Sequence, residues 1–517
     1  MTDATAPPGL AAARQPLFSE GYKRGVLTIL TLVYTLNFID RTILGTIGQP
    51  VKESLGITDN QLGLLTGLAF AILYTALGVP IARLAERFSR VNIMAVCVTI
   101  WSAFTALCGL APNFATLMAF RVGVGVGEAG CSPPAHSLIS DYFEPKKRAS
   151  ALSVYAFGIP LGSMFGAIFG GLIAQYLNWR LAFFIVGVPG VLVALALKAF
   201  VKEPPRGHAD IEAHPATSED VTPEEVPAAA RMSFGQEMAH EARELLHVGR
   251  TLFGTWGFLN MILGITLCSF AGYGIGQFSS PYFIRTFGLG LAVVGVVFGL
   301  IGGASTGLGT LVGGFVTDWA NRRSPAWYGL VPGIGLAIAV PLYAVVYTRA
   351  DWRVAGALSL IPGVFHYFYL GPTFGVIQNA VEVRRRATAT ALTFFFLNLI
   401  ALGGGPPFVG WLIDQFAQYG FAHPGPHGLV QGLKDMTFHG GADGSSFRDL
   451  CPGGLPKKGA DPALTAACKP VLAQATREGI LVSLGFHAWA AVHYGLAALT
   501  LPRDLKRAAE RMAASRA

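Results

Sequence analysis

Residues Gly314–Arg322, GFVTDWANR, have a counterpart in the first half of the chain at Ala82–Arg90, ARLAERFSR. Both segments read small-x-x-x-acid-x-x-x-Arg, and each joins two apolar stretches. A second pair of segments shares a proline, an acid and a basic triplet at similar spacing: Pro134, Glu144 and 146–148 in the first copy, Pro372, Glu382 and 384–386 in the second. Two matches at a similar offset indicate an internal duplication, so the sequence predicts two related halves of the same topology.

The composition of the chain is that of a membrane protein. Of its 517 residues, 52% are hydrophobic and only 13% are charged, with a mean hydropathy of +0.50, whereas a soluble domain carries about 25% charged residues. A helix needs about 20 apolar residues to cross a bilayer. Such runs, numbered here as spans 1 to 12, lie at 25–46, 62–81, 92–111, 115–138, 149–173, 180–200, 251–276, 290–316, 326–347, 354–380, 388–413 and 479–501. The sequence therefore predicts an all-α membrane protein with 12 transmembrane helices, arranged as two pseudo-symmetric six-helix bundles.

The distribution of charge predicts the orientation of the bundles. With a cytoplasmic N-terminus, the short cytoplasmic loops hold eleven Lys and Arg residues against five on the other side, as the positive-inside rule requires. The net charge of +8 is thus an orientation signal and predicts no nucleic-acid partner. We expect a multi-pass protein of the inner (plasma) membrane with both termini cytoplasmic. The predicted segments are a tail over 1–24, a bundle over 25–200, a cytoplasmic linker over 201–250 with a surface helix near 234–247, a bundle over 251–501 with a long external loop over 414–478, and a basic tail over 502–517.

Four ionisable residues interrupt apolar spans: Asp40 and Arg41 in span 1, and Arg121 and Glu128 in span 4. The spacing of Arg121 and Glu128 places them on one helix face, about 10 Å apart along the axis. Because charges inside a bilayer are costly, such residues usually face a cavity on a substrate or ion pathway. The two acids and two bases sum to zero, and protonation of Asp40 or Glu128 would free an arginine to hold an anionic head group. We therefore predict a proton-coupled carrier; the alternative is a static network that locks the first half.

The duplicated loop segment resembles the loop motif of the major facilitator superfamily, Gly-x-x-x-Asp-x-x-x-Arg. The second copy matches, with Asp318 and Arg322. The first copy departs in having alanine for the glycine and Glu86 for the aspartate, but it keeps an acid four residues before Arg90. The resemblance implies a gating role for these residues, in which an acid and an arginine pair across the cytoplasmic seam in one state and separate in another. The alternative is a cluster of helix-end charges that satisfies the positive-inside rule.

The polar residues of spans 1 and 4 resemble the Spinster branch of that superfamily. The resemblance rests on Asn37 with Asp40 and Arg41, on RVGVGVGEA over 121–129, and on PAHSLISDYF over 134–143. Spinster-like proteins are implicated in moving sphingolipids and lysophospholipids, some with proton coupling. The resemblance implies a secondary active transporter that moves a lipid-like or amphiphilic anion by alternating access, with the four charged residues as its functional site. The alternatives are an exporter of polar organic solutes or drugs, an intramembrane lipid-modifying enzyme, and a non-transporting receptor.

Weaker signals concern the remaining polar residues. Candidate cavity residues are Asn37, Gln277, His366 and Asn398; His366 either titrates or forms a hydrogen bond between helices. Aromatic residues of spans 10 and 11 either line a cavity for an apolar tail or face lipid. In the long loop, Cys451 and Cys468 form a disulfide if the loop faces an oxidising compartment.

No motif in the sequence predicts a cofactor or a catalytic centre. GVGEAG over 125–130 fits a dinucleotide-binding fingerprint and GASTG over 303–307 fits a nucleophile elbow, but both lie inside apolar spans. We expect no cofactor, no metal site and no enzymatic activity. The predicted partners are an amphiphilic or organic anion, protons and the lipid bilayer, and the protein is expected to be a monomer.

Overall fold

The protein is described by a computed structural model over residues 17–206, 208–209, 234–382, 385–424, 428–438, 445–455 and 462–514. These residues form helices, with no β-strand among them. The predicted spans correspond in order to Glu20–Leu55; Asp59–Thr66 with Leu68–Arg87; Arg90–Cys108; Phe114–Glu128 with Ser132–Tyr142; Pro145–Ala156 with Gly158–Tyr176; Trp179–Phe200; Trp256–Phe287; Leu291–Asn321; Trp327–Val346; Trp352–His366 with Leu370–Asn379; Arg386–Phe396 with Gly403–Ala422; and Pro462–Ala514.

Within the described residues, eleven helices are long and apolar enough to cross a membrane, and the predicted span missing from that set is span 4. Its first helix ends at Glu128, and its second begins at Ser132. Two prolines explain the break. Pro133 and Pro134 have no backbone N–H, so they fit the first turn of a new helix better than the interior of a continuing one. The two shorter helices together cover the predicted range.

Span 1, which carries two of the four ionisable residues, is held in place by span 5. Glycines recur at every fourth position of span 5 from Gly158 to Gly170, and all of them face span 1. A Cβ atom on Gly166, for example, would lie 2.9 Å from the carbonyl oxygen of Ile39. Small residues let two helix backbones approach this closely in a membrane. The glycine row therefore packs span 1 within the first half and does not form the seam between the halves.

The two halves meet along other pairs of helices. Span 5 contacts span 8 where Gly171 approaches Gly295, and span 2 contacts span 11 where Gly63 faces the backbone of Pro406. Both contacts lie towards the end of the bundle at which span 1 ends and span 12 begins. We call this the loop end, and we call the opposite end, where span 1 begins and span 12 stops, the tail end.

The long loop predicted over 414–478 contains more helix than expected. Span 11 continues to Ala422, and span 12 begins at Pro462. Span 12 therefore has 53 residues and a length of about 80 Å. Its first turns are rich in alanine, which favours a helix without raising hydropathy as far as a membrane span does. The helix therefore begins before the apolar run that predicts the span.

Two contacts attach the connecting segments to the bundle. A disulfide joins Cys451 to Cys468, with the Cα atoms 6.1 Å apart, and it fastens the loop to span 12. On the tail side, a linker helix covers Phe234–Gly254, where the sequence predicts a surface helix. Arg385 donates to both carboxylate oxygens of Glu244, at 2.7 and 3.1 Å, and so fixes this helix to the start of span 11.

Candidate functional site

The charged residues of spans 1 and 4 form two separate ion pairs. In the first, Arg121 Nη1 lies 3.0 Å from Asp40 Oδ1, and both side chains are at most 1% exposed. The other oxygen of Asp40 accepts a hydrogen bond from the hydroxyl of Thr105 in span 3. Arg121 Nε also donates to the carbonyl oxygen of Leu65, at 3.4 Å. This inner pair is therefore sealed within the first half, with both charges compensated.

The second pair reaches open space through its arginine. Arg41 Nε donates to Glu128 Oε2 at 2.7 Å; the Arg41 side chain is 20% exposed, whereas that of Glu128 is fully buried. The guanidinium lies 4.5–5.2 Å from the ring centroids of Phe38, Phe70 and Tyr74, a favourable position for a cation. Among the described residues, none forms a hydrogen bond with the buried second oxygen of Glu128, Oε1. This outer pair thus keeps one acceptor position unfilled.

The backbone of span 4 explains how Glu128 reaches this position. The first helix of the span ends at Glu128, so the carboxylate lies at a helix break inside the bundle. Irregular backbone at membrane depth is stable only where protein buries it or where it lines a cavity. Two glycines bring neighbouring spans close: a Cβ on Gly125 would lie 2.9 Å from the carbonyl oxygen of Phe70, and one on Gly127 only 2.5 Å from the backbone nitrogen of Trp101. The glycine pattern that imitates a dinucleotide fingerprint therefore serves helix packing.

The outer pair faces the second half of the molecule. Tyr273 of span 7 is close enough to Arg41 to interact with it electrostatically. Gln277, one turn further along span 7, is buried and approaches Gly48 of span 1. Asn37 is also buried within the first half, and Asn398 is half-buried in a π-helical turn of span 11. These candidate polar residues therefore differ in burial, and their role in a cavity stays a prediction.

An ionic network closes the seam at the loop end, and the sequence analysis did not single it out. Arg285 at the end of span 7 donates to both oxygens of Asp59 in span 2, at 2.6 and 3.1 Å. Lys52 of span 1 contacts the same carboxylate at 2.6 Å, and Arg285 Nε donates to Gln49 at 2.7 Å. The three charged side chains are at most 3% exposed. The sequence shows Lys52 and Arg285 only as positive charges in short loops. No motif near either residue indicates that both bind the same carboxylate.

A helix cap crosses the same seam. The first backbone N–H groups of any α-helix lack partners within the helix. At the start of span 2, the backbone N–H groups of Asp59 and Asn60 donate to the two oxygens of Asp414 in span 11, at 2.9 and 2.8 Å. A carboxylate is favourable at this end of a helix dipole. The second half therefore caps a helix of the first, and the loop end is closed by polar contacts as well as by packing.

At the tail end, Arg90 finds its partners within its own half. It is buried and forms ion pairs with Asp141, at the end of span 4, and with Glu203, which follows span 6; the second distance is 2.6 Å. Its Nη1 also donates to the hydroxyl of Ser137 at 2.7 Å. In this structure Arg90 therefore pairs within the first half and not across the seam, and its gating role, in which the pairing changes between states, stays a prediction. The side chain of Glu86, its expected partner, lies outside the described residues.

Glu203 is an ionisable group outside the membrane spans. Burial raises the pKa of this carboxyl, but hydrogen bonds from the backbone N–H of Val91 and from Arg90 and Ser89 outweigh that effect, so its pKa lies below the ordinary value. The carboxylate is therefore charged at neutral pH and ties the segment after span 6 to the start of span 3.

The second copy of the loop motif has a different environment. Asp318 and Arg322 are both exposed, and no ion pair joins them in the part of the chain that the structure describes. Arg323, the next residue, stacks on Trp319 with 4.5 Å between its guanidinium carbon and the ring centroid. The gating role of both motif copies stays a prediction.

The centre of the second half contains aromatic and imidazole rings and a thiol. Cys268 of span 7, His366 of span 10 and His487 of span 12 are buried, and their potential ligand atoms lie within 4.8 Å of one another. The sequence analysis missed this cluster because its members are far apart along the chain. His366 lies beside other rings, including those of His487 and Tyr343 at centroid distances of 4.6 and 6.4 Å.

The aromatic residues of spans 10 and 11 do not form one wall. Phe368 and Tyr369 are buried, whereas Phe394 and Phe395 are 46% and 43% exposed. Both interpretations of this set, a cavity wall and a lipid-facing surface, stay predictions.

Two helical halves whose seam is closed at one end, with a charged pair facing that seam, are the architecture of a membrane transporter. The family model described as Major Facilitator Superfamily matches residues 30–406. The chain belongs to this superfamily, and the predicted fold class is confirmed.

Relatives and solved structures place the chain in the Spinster-like branch. It is 31% identical over 393 residues to an MFS-type efflux pump of Mycolicibacterium smegmatis, covering 75% of this chain and 83% of that protein. It is 26% identical to protein spinster of Drosophila melanogaster, covering 80% of this chain and 65% of that protein. It is also 26% identical to the sphingosine-1-phosphate transporter SPNS2 of Xenopus tropicalis, covering 75% and 74%.

A crystal structure of a bacterial homologue of the human lysosomal transporter Spinster, in an inward-facing and occupied conformation, matches with a TM-score of 0.75 and 33% identity, over 94% of this chain and 99% of that one. The predicted resemblance is confirmed. The chain is a multi-pass membrane transporter of an organic substrate and not an enzyme.

Proposed function

We propose that this chain is a proton-coupled secondary transporter of an amphiphilic anion of the lysophospholipid or sphingolipid type. The observation that carries the proposal is the outer pair, in which the buried carboxylate of Glu128 lies 2.7 Å from the guanidinium of Arg41, whose side chain is partly exposed. A change of charge at Glu128 alters whether Arg41 is engaged or free. The inner pair of Asp40 and Arg121 is buried within the first half. We therefore assign it a structural role beside Glu128 and Arg41.

Proton binding at Glu128 removes the charge that holds Arg41. The unfilled acceptor position at Oε1 offers the proton a site that does not compete with the existing hydrogen bond. The guanidinium then needs another counterion, because a buried or partly buried cation is costly without one. Phosphate and carboxylate groups match its planar fork. Loss of the proton restores the ion pair and weakens the hold on the anion.

Two findings support an amphiphilic substrate. Arg41 is surrounded by the rings of Phe38, Phe70 and Tyr74, so a charged head group would bind beside apolar surface. The Xenopus tropicalis relative is named as a transporter of sphingosine-1-phosphate, which is a lipid phosphate. The identity of 31% to an efflux pump favours a second candidate function, the export of polar organic solutes or drugs.

The orientation of the chain is part of the proposal. The excess of Lys and Arg in the loops at the tail end supports a cytoplasmic tail end, with both termini cytoplasmic, in the inner (plasma) membrane. The ionic network at the loop end then closes the external side, which supports an inward-facing arrangement. We further propose that the bundles extend over 25–200 and 251–501 and that the transporter acts as a monomer.

Flux into proteoliposomes tests this function. Purified protein is reconstituted, a pH gradient is imposed, and uptake is measured for a panel of lysophospholipids, sphingoid-base phosphates and polar organic anions. We expect gradient-driven flux of the lipid anions by the wild type. Glu128→Gln should abolish the response to the gradient while leaving binding of the anion detectable, because the amide is neutral as the protonated acid is.

Glu144→Gln is the matched control. It removes a carboxylate near the tail end that makes only a 3.8 Å ion pair with Lys147, and it should leave flux unchanged. Equal pH dependence in wild type and Glu128→Gln would exclude Glu128 as the coupling site. Flux of polar solutes without flux of any lipid anion would favour the exporter.

A further inference from the structure

Three residues from three different spans meet at the centre of the second half. Cys268 lies in span 7, His366 in span 10 and His487 in span 12, and the thiol sulfur and the imidazole nitrogens lie within 4.8 Å of one another. Two ligands of one metal ion lie at most about 4.4 Å apart, the sum of typical metal–sulfur and metal–nitrogen distances. A small rotation of one side chain therefore brings all three atoms within reach of a single ion.

The imidazoles of this cluster lack the partners that buried polar groups normally have. His487 is 2% exposed and His366 6%, while Cys268 is fully buried. Nδ1 of His366 and both ring nitrogens of His487 form no hydrogen bond with any described residue. Burying such groups unpaired is costly, and each case in a native structure requires an explanation.

The surroundings of the cluster give it space and orientation. A Cβ on Gly272 would lie only 3.2 Å from the ring of His366, so the glycine makes room for the imidazole. His366 is the last residue of its helix before a 3-10 turn, so the regular helix is interrupted beside the cluster. One ring nitrogen of His487 faces the backbone carbonyl of Cys268 without full hydrogen-bond geometry; metal-bound histidines commonly direct their second nitrogen to such an acceptor.

The set of ligands selects the kind of ion. One thiolate and two imidazoles suit copper and zinc, and thiolate in particular favours Cu⁺. No carboxylate belongs to the cluster among the residues that the structure describes. A Cu⁺ ion that displaces the thiol proton of Cys268 gives a neutral site, whereas Zn²⁺ leaves a net positive charge in the interior of a membrane protein, which is unfavourable.

We propose that Cys268, His366 and His487 form a binding site for one Cu⁺ ion. The ion joins spans 7, 10 and 12 inside the second half and releases one proton, from the thiol, when it binds. The site is separate from the ion pairs of the first half, so it exists whether or not those pairs couple transport to protons.

Titration of the purified full-length protein with Cu⁺ tests the proposal. The protein is titrated in detergent without oxygen, in competition with the chromophoric chelator bicinchoninate. We expect one equivalent to bind to the wild type, and about a hundredfold or greater loss of affinity in both Cys268→Ser and His487→Gln, because loss of a ligand exceeds the effect of outer-shell changes. X-ray absorption of the complex should show one sulfur and two imidazole ligands.

Two control variants remove a cysteine and a histidine that lie outside the proposed site. Cys97→Ser removes another buried cysteine, and His493→Gln removes a histidine of span 12 whose Nδ1 contacts Asn260 at 2.7 Å; both should keep the wild-type affinity. Thermal unfolding verifies that each variant folds, and His366→Gln replaces any ligand variant that does not. The proposal is overturned by an absence of Cu⁺ binding in the wild type, by unchanged binding in the ligand variants, or by binding of Zn²⁺ in preference to Cu⁺.

Discussion

The two halves share a topology but bury different chemistry. The centre of the first half holds two ion pairs, Asp40 with Arg121 and Arg41 with Glu128. The centre of the second half holds Cys268 with two histidines and a set of aromatic rings. The comparison shows that the two halves share a helical frame, and that the four charged residues predicted from the sequence pair with one another within the first half.

The largest expected effect comes from breaking the inner ion pair. Arg121→Met leaves the carboxylate of Asp40 buried without its counterion, so we expect the free energy of unfolding to fall by about 3–5 kcal/mol. In the other half, His487→Phe replaces one buried ring with another and should cost less than about 1.5 kcal/mol without added metal. Thermal and denaturant unfolding of the detergent-solubilised variants measure both effects.

A double variant checks the cause of that loss. Asp40→Asn combined with Arg121→Met removes both charges, and it should be more stable than Arg121→Met alone. If the loss of stability in the double variant equals the sum of the losses in the two single variants, loss of charge compensation does not explain the effect. In that case the two halves differ less than proposed.

A smaller effect is expected where the halves meet. Asp59→Asn leaves Arg285 and Lys52 without their shared carboxylate, and loss of hydrogen bonds to a charged group costs about 1.5–3 kcal/mol. Since this network joins the halves only when the loop end is closed, the variant should favour opening of that end. Faster modification of a cysteine introduced at Gln277, by a membrane-impermeant thiol reagent, measures the opening.

Asp351→Asn is the control for that experiment. Asp351 is an exposed acid at the loop end that caps span 10 through the backbone N–H of Arg353. It makes no contact with the other half among the described hydrogen bonds. An equal increase in labelling for both variants would mean that the Asp59 network does not hold the seam.

The outer ion pair provides the next prediction. Arg41→Lys keeps the charge but removes the planar fork and its fit to the rings around it. We expect the KM for the transported anion to rise about tenfold, which corresponds to about 1.4 kcal/mol of binding free energy. Arg353→Lys changes an exposed arginine stacked on Trp352 and should not alter KM. An unchanged KM for Arg41→Lys would remove Arg41 from the anion site.

The smallest effect concerns pH and the tail end. The pKa of Glu203 is lower in the folded protein than its ordinary value, so its contribution to stability is present above the unfolded pKa of about 4.3 and is lost as the pH falls through the folded pKa. Wild-type protein should therefore lose more thermal stability between pH 5 and about pH 3 than Glu203→Gln does. Parallel losses in both proteins would exclude this carboxylate as the cause.

The sequence predicted the frame of the molecule better than its contacts. The apolar runs predict the spans, and the duplicated segments predict the two halves, because both are local patterns of composition. A helix extends beyond its apolar run where hydropathy and helix propensity differ, as in the alanine-rich start of span 12 at Pro462. The sequence did not predict the partners of Arg90 in this structure, because an arginine's charge shows that it needs an acid but not which acid is near.

By itself, the sequence determined that the chain crosses a membrane repeatedly, that its halves are related, and that Asp40, Arg41, Arg121 and Glu128 require compensation inside it. Only the tertiary structure decided which acid pairs with which arginine, that Arg285 and Asp59 close one end of the seam, and that Cys268 meets two histidines. The physical reason is the distance along the chain over which each property acts. Hydropathy and helix periodicity act over a few turns of one chain segment, whereas ion pairs, caps and ligand sets depend on distances of a few ångströms between helices that are distant in sequence.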